Sequence, residues 1–242
     1  MIETIKPGWP APPNVRAFCT TRAGGYSEGP YGALNLGGHV GDDPVAVAAN
    51  RQQLCRRLLP AAPLWLNQVH GNRCVAAETA WSGISADASV AHTPGVVCAV
   101  MTADCLPVLL CDRRGTAVAA VHAGWRGMAA GVIEAAIREM AVAGEELLAW
   151  LGPAIGPRAY EVGDDLRQAF VGDDPATAPC FAPRGGKWLC DLYGLARRRL
   201  TMAGVGQVFG GDRCTYAESD RFFSYRRDGN TGRMASLVWL TH

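Results

Sequence analysis

No stretch of this 242-residue chain approaches the roughly 20 consecutive apolar residues that a membrane-crossing helix requires. Its longest apolar runs, such as Val96 to Met101, are the length of a strand, which excludes a helical membrane protein. Charge of either sign is also missing in excess. The 23 Lys and Arg stand against 22 Asp and Glu, and a formal +1 gives no general field to hold a nucleic-acid backbone or an anionic membrane. The expected partner is a small, locally recognised molecule, with neither nucleic acid nor membrane involved. The opening residues Met1 to Pro10 carry Glu3, Pro7 and Pro10 where an export signal would run apolar, so a cytoplasmic location is expected. There is no repeat, no low-complexity segment and no linker rich in Gly, Pro or Ser, which leaves a single domain over residues 1–242. No heptad pattern or apolar tail suggests assembly, and a monomer or weak dimer is expected.

What is present is apolar: 49% of residues are hydrophobic, enough to bury a sizeable core. The nine cysteines are scattered and odd in number, which suits free thiols in a reducing compartment better than a disulfide framework. Cys55, Cys98 and Cys111 lie among Leu and Val, where a thiol acts as a small buried hydrophobe. Strands are expected at Asn14 to Thr20, Leu64 to His70, Val96 to Thr102, Leu106 to Asp112, Thr116 to Val121, Leu147 to Leu151 and Ser236 to Leu240. Helices are expected at Pro44 to Leu59, behind the acidic cap Asp42-Asp43, and at Met128 to Ala143, where Val132, Ile133, Ala136, Ile137 and Met140 form one apolar face. Two more are expected near Asp164 to Val171 and Leu192 to Ala203. Hairpin-like and crossover connections mix along the chain, so the expected class is α+β, a single domain with mixed β-sheets flanked by helices.

Histidine is scarce, with five in all, and two of them end expected strands beside glycines: Val69-His70-Gly71 and Val121-His122-Ala123-Gly124. Between them, Thr102-Ala103-Asp104-Cys105 interrupts two apolar strands with polar residues, a local failure of pattern of the kind that marks functional sites. Two imidazoles and one thiolate suit zinc, and three protein ligands leave a fourth tetrahedral position open, as catalytic sites do. The three residues are too far apart in sequence for any compact Cys/His motif. Hydrogen-bonded strand-end histidines and an inertly packed thiol fit the same letters. Asp104 reads equally as a turn or capping carboxylate and as an acid-base group. His122-Ala123-Gly124-Trp125-Arg126-Gly127 joins a strand to a helix through two glycines, an anion cradle if Arg126 turns inward and a salt bridge if it turns out.

These segments, together with Leu34-Asn35-Leu36-Gly37, His39 to Pro44, Gly152 to Pro157 and Phe222 to Arg227, resemble the polyphenol oxidase (laccase) domain family. Its members are also described as purine nucleoside phosphorylases and as the peptidoglycan editing factor. The resemblance covers nearly the whole chain; Ser89 and Ala91 stand where the family often has an apolar residue and a threonine. It implies zinc on His70, Cys105 and His122, and phosphorolysis of adenosine, inosine, guanosine and S-methyl-5′-thioadenosine, with adenosine deaminase side activity. Deamination can share the site, since a divalent zinc activates water as a nucleophile for purine C6. The expected partners are thus a purine nucleoside and phosphate. Asp104 and Arg126 are the candidate catalytic residues beside Cys105, and Asn35 and Arg51 the candidate substrate contacts, although alone they read as a turn residue and a helix-surface charge. Five histidines are too few for a multicopper laccase centre, but a single copper on the same three ligands fits the donor set. Two rivals remain: a hydrolase with Cys105 as nucleophile and His122 or His70 as base, and a protein that binds or edits a peptidoglycan precursor.

The position of the thiols sets a first test. Cys105→Ala is expected to abolish activity in a folded protein, while Cys55→Ala and Cys111→Ala leave activity largely intact, because two imidazoles alone make a poor metal site. Zinc per chain, adenosine phosphorolysis and thermal unfolding of the three variants check this. Full zinc occupancy with normal turnover in Cys105→Ala would remove the proposed site.

Overall fold

The computed structural model describes residues 1–242. A two-residue edge strand β1 (Thr4–Ile5) pairs with β2 (Val15–Thr20), and Asp43 then caps α1 (Pro44–Leu58). The Asp43 carboxylate accepts the Val45 N–H at 2.9 Å, and Pro44 fills the first turn, where its missing N–H costs nothing. The short strands β3 (Cys74–Ala76) and β4 (Ala88–Ala91) follow. Next come three strands buried along their whole length: β5 (Val97–Thr102), β6 (Leu106–Asp112) and β7 (Val118–Ala123). The short helix α2 (Trp125–Ala129) leads into α3 (Val132–Met140) and β8 (Leu147–Leu151). The remainder runs through β9 (Glu161–Val162), α4 (Asp164–Val171), β10 (Phe181–Arg184), β11 (Lys187–Cys190), α5 (Leu192–Met202), β12 (Gln207–Gly210), α6 (Tyr225–Asp228) and β13 (Met234–Leu240).

The sheets are mixed and the class is α+β, as the connections in the sequence imply. A six-stranded sheet runs β12-β8-β6-β7-β4-β3, parallel at both edges (β12 on β8, β3 on β4) and antiparallel between. A four-stranded antiparallel sheet runs β1-β2-β13-β5, and a small one runs β10-β11-β9. Alternation along β6 explains the layering. Leu106, Val108 and Leu110 face α3, α4 and α5, joining Ile133, Phe170 and Leu195 in one core. Leu109 and Cys111 face the four-stranded sheet, meeting Val100, Val238 and Phe222 in a second. The far side of that sheet is covered by α1, where Leu54 meets Phe18, Leu237 and Trp239. Helix, sheet, sheet and helix thus stack in turn, and strands enclosed on both faces read as unbroken apolar runs. No helix is long and apolar enough to cross a membrane.

Three expected elements differ. Leu64 to His70 is not a strand: Leu64 and Asn67 make only isolated bridges, to Cys98 and Ser85, and His70 takes a left-handed φ of 58°. The expected Met128 to Ala143 helix starts earlier, at Trp125, and breaks at Gly131 (φ 87°), a conformation glycine takes without steric cost. The strand expected at Thr116 to Val121 is β7 and begins at Val118, because the Asp112 carboxylate accepts the Thr116 and Ala117 N–H groups at 2.6 and 2.9 Å and turns the chain there. β3, β4 and β9 to β12 are two to four residues long, too short to carry a periodicity.

Asp112 also accepts the Thr116 hydroxyl at 2.8 Å and is fully buried. Burial alone would raise its pKa, but these bonds hold it below the usual carboxylate range. A depressed carboxyl contributes stability that is present at neutral pH and lost as pH falls through the folded-state value. Asp112→Ala should therefore cost about 2 kcal/mol at pH 7, and the deficit should shrink on acidification. Denaturant unfolding at pH 7 and pH 3 measures both; a deficit independent of pH would refute the assignment.

Candidate metal centre

The centre is assembled from a loop, a strand junction and a strand end. His122 lies on β7, opposite Pro107 of β6, and Cys105 sits in the turn that joins β5 to β6. His70 comes from the loop ahead of β3. One ligand atom from each of His70, Cys105 and His122 lies within 4.8 Å of the others. The two imidazole rings meet edge to face, centroids 4.8 Å apart and planes at 69°.

Asp87, just before β4, organises two of the three. Its carboxylate accepts the N–H groups of Val69 (3.2 Å), His70 (2.9 Å) and Gly71 (2.8 Å), which bends the expected strand into a loop and fixes the left-handed turn at His70. Its Oδ1 also lies 2.8 Å from His122 Nδ1. An Nδ1–H tautomer donating to Asp87 leaves Nε2 as the ligand atom, the carboxylate–histidine arrangement that orients metal-binding imidazoles. Burial works on His122 by lowering its pKa, but the neighbouring Cys105 sulfur and Asp87 carboxylate outweigh this and raise it to about 9. His70 moves down, from burial and the nearby His122 charge, with Asp87 opposing. Asp87 itself is depressed: burial would raise it, but the His122 and backbone hydrogen bonds prevail.

Gly124 gives these side chains room. A Cβ there would lie 2.9 Å from His70 Nδ1 and 3.1 Å from Cys105 Sγ, so any larger residue would push into the donors. Gly127 does the same for the loop, since a Cβ would come 2.6 Å from the Gly71 carbonyl oxygen. Two nitrogens and a sulfur, with converging lone pairs and an oriented imidazole, fit a tetrahedral metal with one open position.

A cavity of about 240 Å³ opens onto this cluster, lined by His70, Cys105, Trp125, Tyr160, Tyr225 and Arg226 among others. Four larger clefts, of about 840, 800, 340 and 320 Å³, contain none of the three ligands. Arg126 lines the cavity at its exposed rim, its guanidinium 4.4 Å from the Trp125 ring centre and in no ion pair. The five-residue α2 is too short to supply the helix-end cradle expected from the glycines. Asp104 also lines the cavity, but Thr215 Oγ1 donates to its Oδ1 and the Arg226 N–H to its Oδ2, both at 2.6 Å, so it anchors the loops that close the site. Asn35 is elsewhere. It is fully buried, donating to Gly37 O and Asp42 Oδ2 and accepting from the Gly37 and Arg233 N–H groups, which leaves no free polar atom for substrate. Arg51 is stacked 4.5 Å over Trp65, donates to Leu36 O, and lines a separate shallow cleft with His39. Neither residue reaches the cavity, because the loop fold consumes the first and α1 holds the second outside. Asp87, Tyr160, Tyr225 and Arg226 were not expected as site residues, although Tyr225 and Arg226 lie in the Phe222 to Arg227 segment. For Asp87 a signal existed: a lone acid inside the small-residue run Ser85-Ala86-Asp87-Ala88-Ser89.

An α+β fold with a thiol and two imidazoles converging under an aromatic cavity defines a candidate metalloprotein class. The chain matches, over residues 16–241, the family model described as multi-copper polyphenol oxidoreductase laccase, and it belongs to that family. It is 54% identical over 242 residues to the purine nucleoside phosphorylase YfiH of Escherichia coli, covering 99% of this chain and 100% of the relative. A purine nucleoside phosphorylase of Pseudomonas aeruginosa is 55% identical, with 99% of each chain covered. Among solved structures, a Neisseria meningitidis protein superposes with a TM-score of 0.96 at 55% identity over 99% of both chains. YlmD of Geobacillus stearothermophilus does so at 0.90 and 32%, covering 99% of this chain and 96% of that one.

Removing the organiser tests the architecture. Asp87→Ala leaves three loop N–H groups without their acceptor and the His122 ring unanchored. Metal affinity is expected to fall by about 10- to 100-fold. Competition with a chromogenic chelator measures it, and an unchanged affinity would show that the ligands hold their places without Asp87.

Proposed function

We propose that this chain is a zinc-dependent purine nucleoside phosphorylase acting on adenosine, inosine, guanosine and S-methyl-5′-thioadenosine, with adenosine deaminase activity at the same centre. The observation that carries the reading is the His70–Cys105–His122 cluster beneath an aromatic cavity, in a chain more than half identical to relatives bearing the phosphorylase name. Zinc bound there supplies Lewis acidity and positive charge at the cavity floor.

The chain's own groups handle the rest. Trp125, Tyr160, Tyr225, Ile155 and Leu192 offer flat and apolar walls suited to a purine. Phosphorolysis forms a bond from a phosphate oxygen to the anomeric carbon of the ribose, while the glycosidic bond breaks and its electron pair leaves on the purine. Cations at the mouth, Arg126 and Arg226, favour an anionic nucleophile and shorten its search for the right approach. The departing purine takes a proton; Asp104 is the carboxyl lining the cavity, and it can deliver one only from an oxygen released by Thr215 or Arg226. The raised His122 pKa beside Cys105 also supports the thiol-hydrolase reading, in which His122 and Cys105 form an ion pair.

Purified protein supplied with adenosine should release adenine together with ribose 1-phosphate only when phosphate is present, and a chelator should stop it. Strictly phosphate-independent product would overturn phosphorolysis as the main activity. A metal-free protein that stays active and is inactivated by iodoacetamide would establish the thiol reading instead.

A further inference from the structure

A phosphate nucleophile needs a specific receptor, and the arginines at the rim are poor ones. Arg126 is exposed and spends its face on Trp125. Arg226 donates Nη1 to Glu161 O and lies 5.1 Å from the Tyr160 ring centre. Arg227 is taken up by Asp228 and the carbonyls of Thr215, Tyr216 and Phe222.

Arg233 is different. It precedes β13 in the segment Thr231-Gly232-Arg233, and its stem runs so close to Gly37 that a Cβ there would lie 2.8 Å from Arg233 Cγ. Its own N–H donates to Asn35 Oδ1 at 2.9 Å, and Nη1 donates to Thr231 O and Gly232 O at 2.9 and 3.0 Å. One edge of the guanidinium is thereby fastened, while Nε and Nη2, the edge that grips two oxygens of an oxyanion at once, donate to nothing in the protein. No carboxylate pairs with it. Asp104, the acid whose charge acts on Arg233, already accepts from Thr215 and Arg226 on its two oxygens. Burial pushes the Arg233 pKa down more than Cys105 and Asp104 raise it, the mark of a cation short of a partner. The guanidinium lies 5.9 Å from the Tyr225 ring centre, and Tyr225 lines the cavity that holds His70 and Cys105. Its charge also depresses His70 and His39.

Arg233 itself is not part of the cavity lining and stands behind Tyr225. We infer that Arg233 is the phosphate-binding residue, its free Nε and Nη2 edge taking two oxygens of inorganic phosphate on the Tyr225 side of the cavity. This rests on phosphorolysis being the reaction. A half-buried guanidinium without a counter-ion costs solvation until an anion arrives, so phosphate gains a strong, two-pronged bond where water was the only rival. Asn35 then acquires an indirect part: it touches no substrate but positions Arg233 through the main chain.

The experiment measures phosphate binding to the zinc-loaded protein by calorimetry without nucleoside, and separately KM for phosphate and for adenosine. It compares Arg233→Met, Arg233→Lys and, as an exposed control in the neighbouring cleft, Arg158→Met. Arg233→Met should raise both Kd and KM for phosphate by roughly tenfold or more, the loss expected for a charged two-bond contact, with KM for adenosine and zinc per chain unchanged. Arg233→Lys, which keeps charge without the fork, should fall between, and Arg158→Met should match the wild type. Wild-type phosphate affinity in Arg233→Met overturns the inference, as does an equal loss of adenosine and phosphate affinity accompanied by loss of zinc. Should the Met variant not fold, a phosphate Kd in Arg233→Lys no higher than that of the wild type overturns it equally. Phosphate binding that depends on Arg233 without turnover of any nucleoside upholds the receptor while refuting phosphorolysis, and failure of the wild type to bind phosphate refutes both.

Discussion

One carboxylate holds the centre together. Asp87 is fully buried, so its charge must be matched by donors, and the donors it finds are the backbone of the His70 loop and the ring of His122. A single anion thus fixes the turn that presents one imidazole and the tautomer that presents the other. The main chain of Asp87 continues the job, since its carbonyl accepts the His122 N–H at 2.7 Å and ties the residue to β7. The fold's contribution is to bring β4 beside β7, which sets this carboxylate within reach of both partners.

Legibility divided along the length of the elements. Strands enclosed between two cores, such as β5 and β6, and helices with a cap and an apolar face, such as α1 and α5, announce themselves because many residues obey one period. Polar interruptions also spoke: the breaks at His70, at Asp104-Cys105 and after His122 are where the chain leaves its pattern, and they converge. What could not be read is whatever depends on the return of distant segments. Asn35 has the look of a contact residue in sequence, yet its four hydrogen bonds are consumed by Gly37, Asp42 and Arg233, a partner nearly two hundred residues away. Leu64 to His70 has a strand's composition, and only the distant Asp87 makes it a loop. Arg226 and Arg227 lay within a recognised motif, but only the packing of α6 beside Asp104 and Thr215 shows that one lines the cavity and the other braces the backbone.

The charges around the cavity follow one logic. Asp104 and Asp87, the acids nearest the ligands, both spend their oxygens on hydrogen bonds from neutral or cationic donors. They stiffen the loops, and the hydrogen bonds that Asp87 accepts hold it in its charged form. Arg126, Arg226 and Arg233 meanwhile stay outside any ion pair. These guanidiniums leave donors open to a small anion, in a protein whose overall balance is nearly neutral.

His70, Cys105 and His122 reach their common point from a loop and from one end of the β6–β7 pair, where the start of β6 meets the end of β7, with no two of them neighbours in the chain. In an unfolded chain they are three independent monodentate donors, each too weak to retain a divalent ion against cellular competitors; only the finished sheet converts them into a chelate. Any metal held there would have to be acquired after folding. The order would matter for identity as well as timing: a preformed pocket meets the ions of the compartment in which folding ended, and a first occupant would be chosen by what is free there as much as by intrinsic affinity.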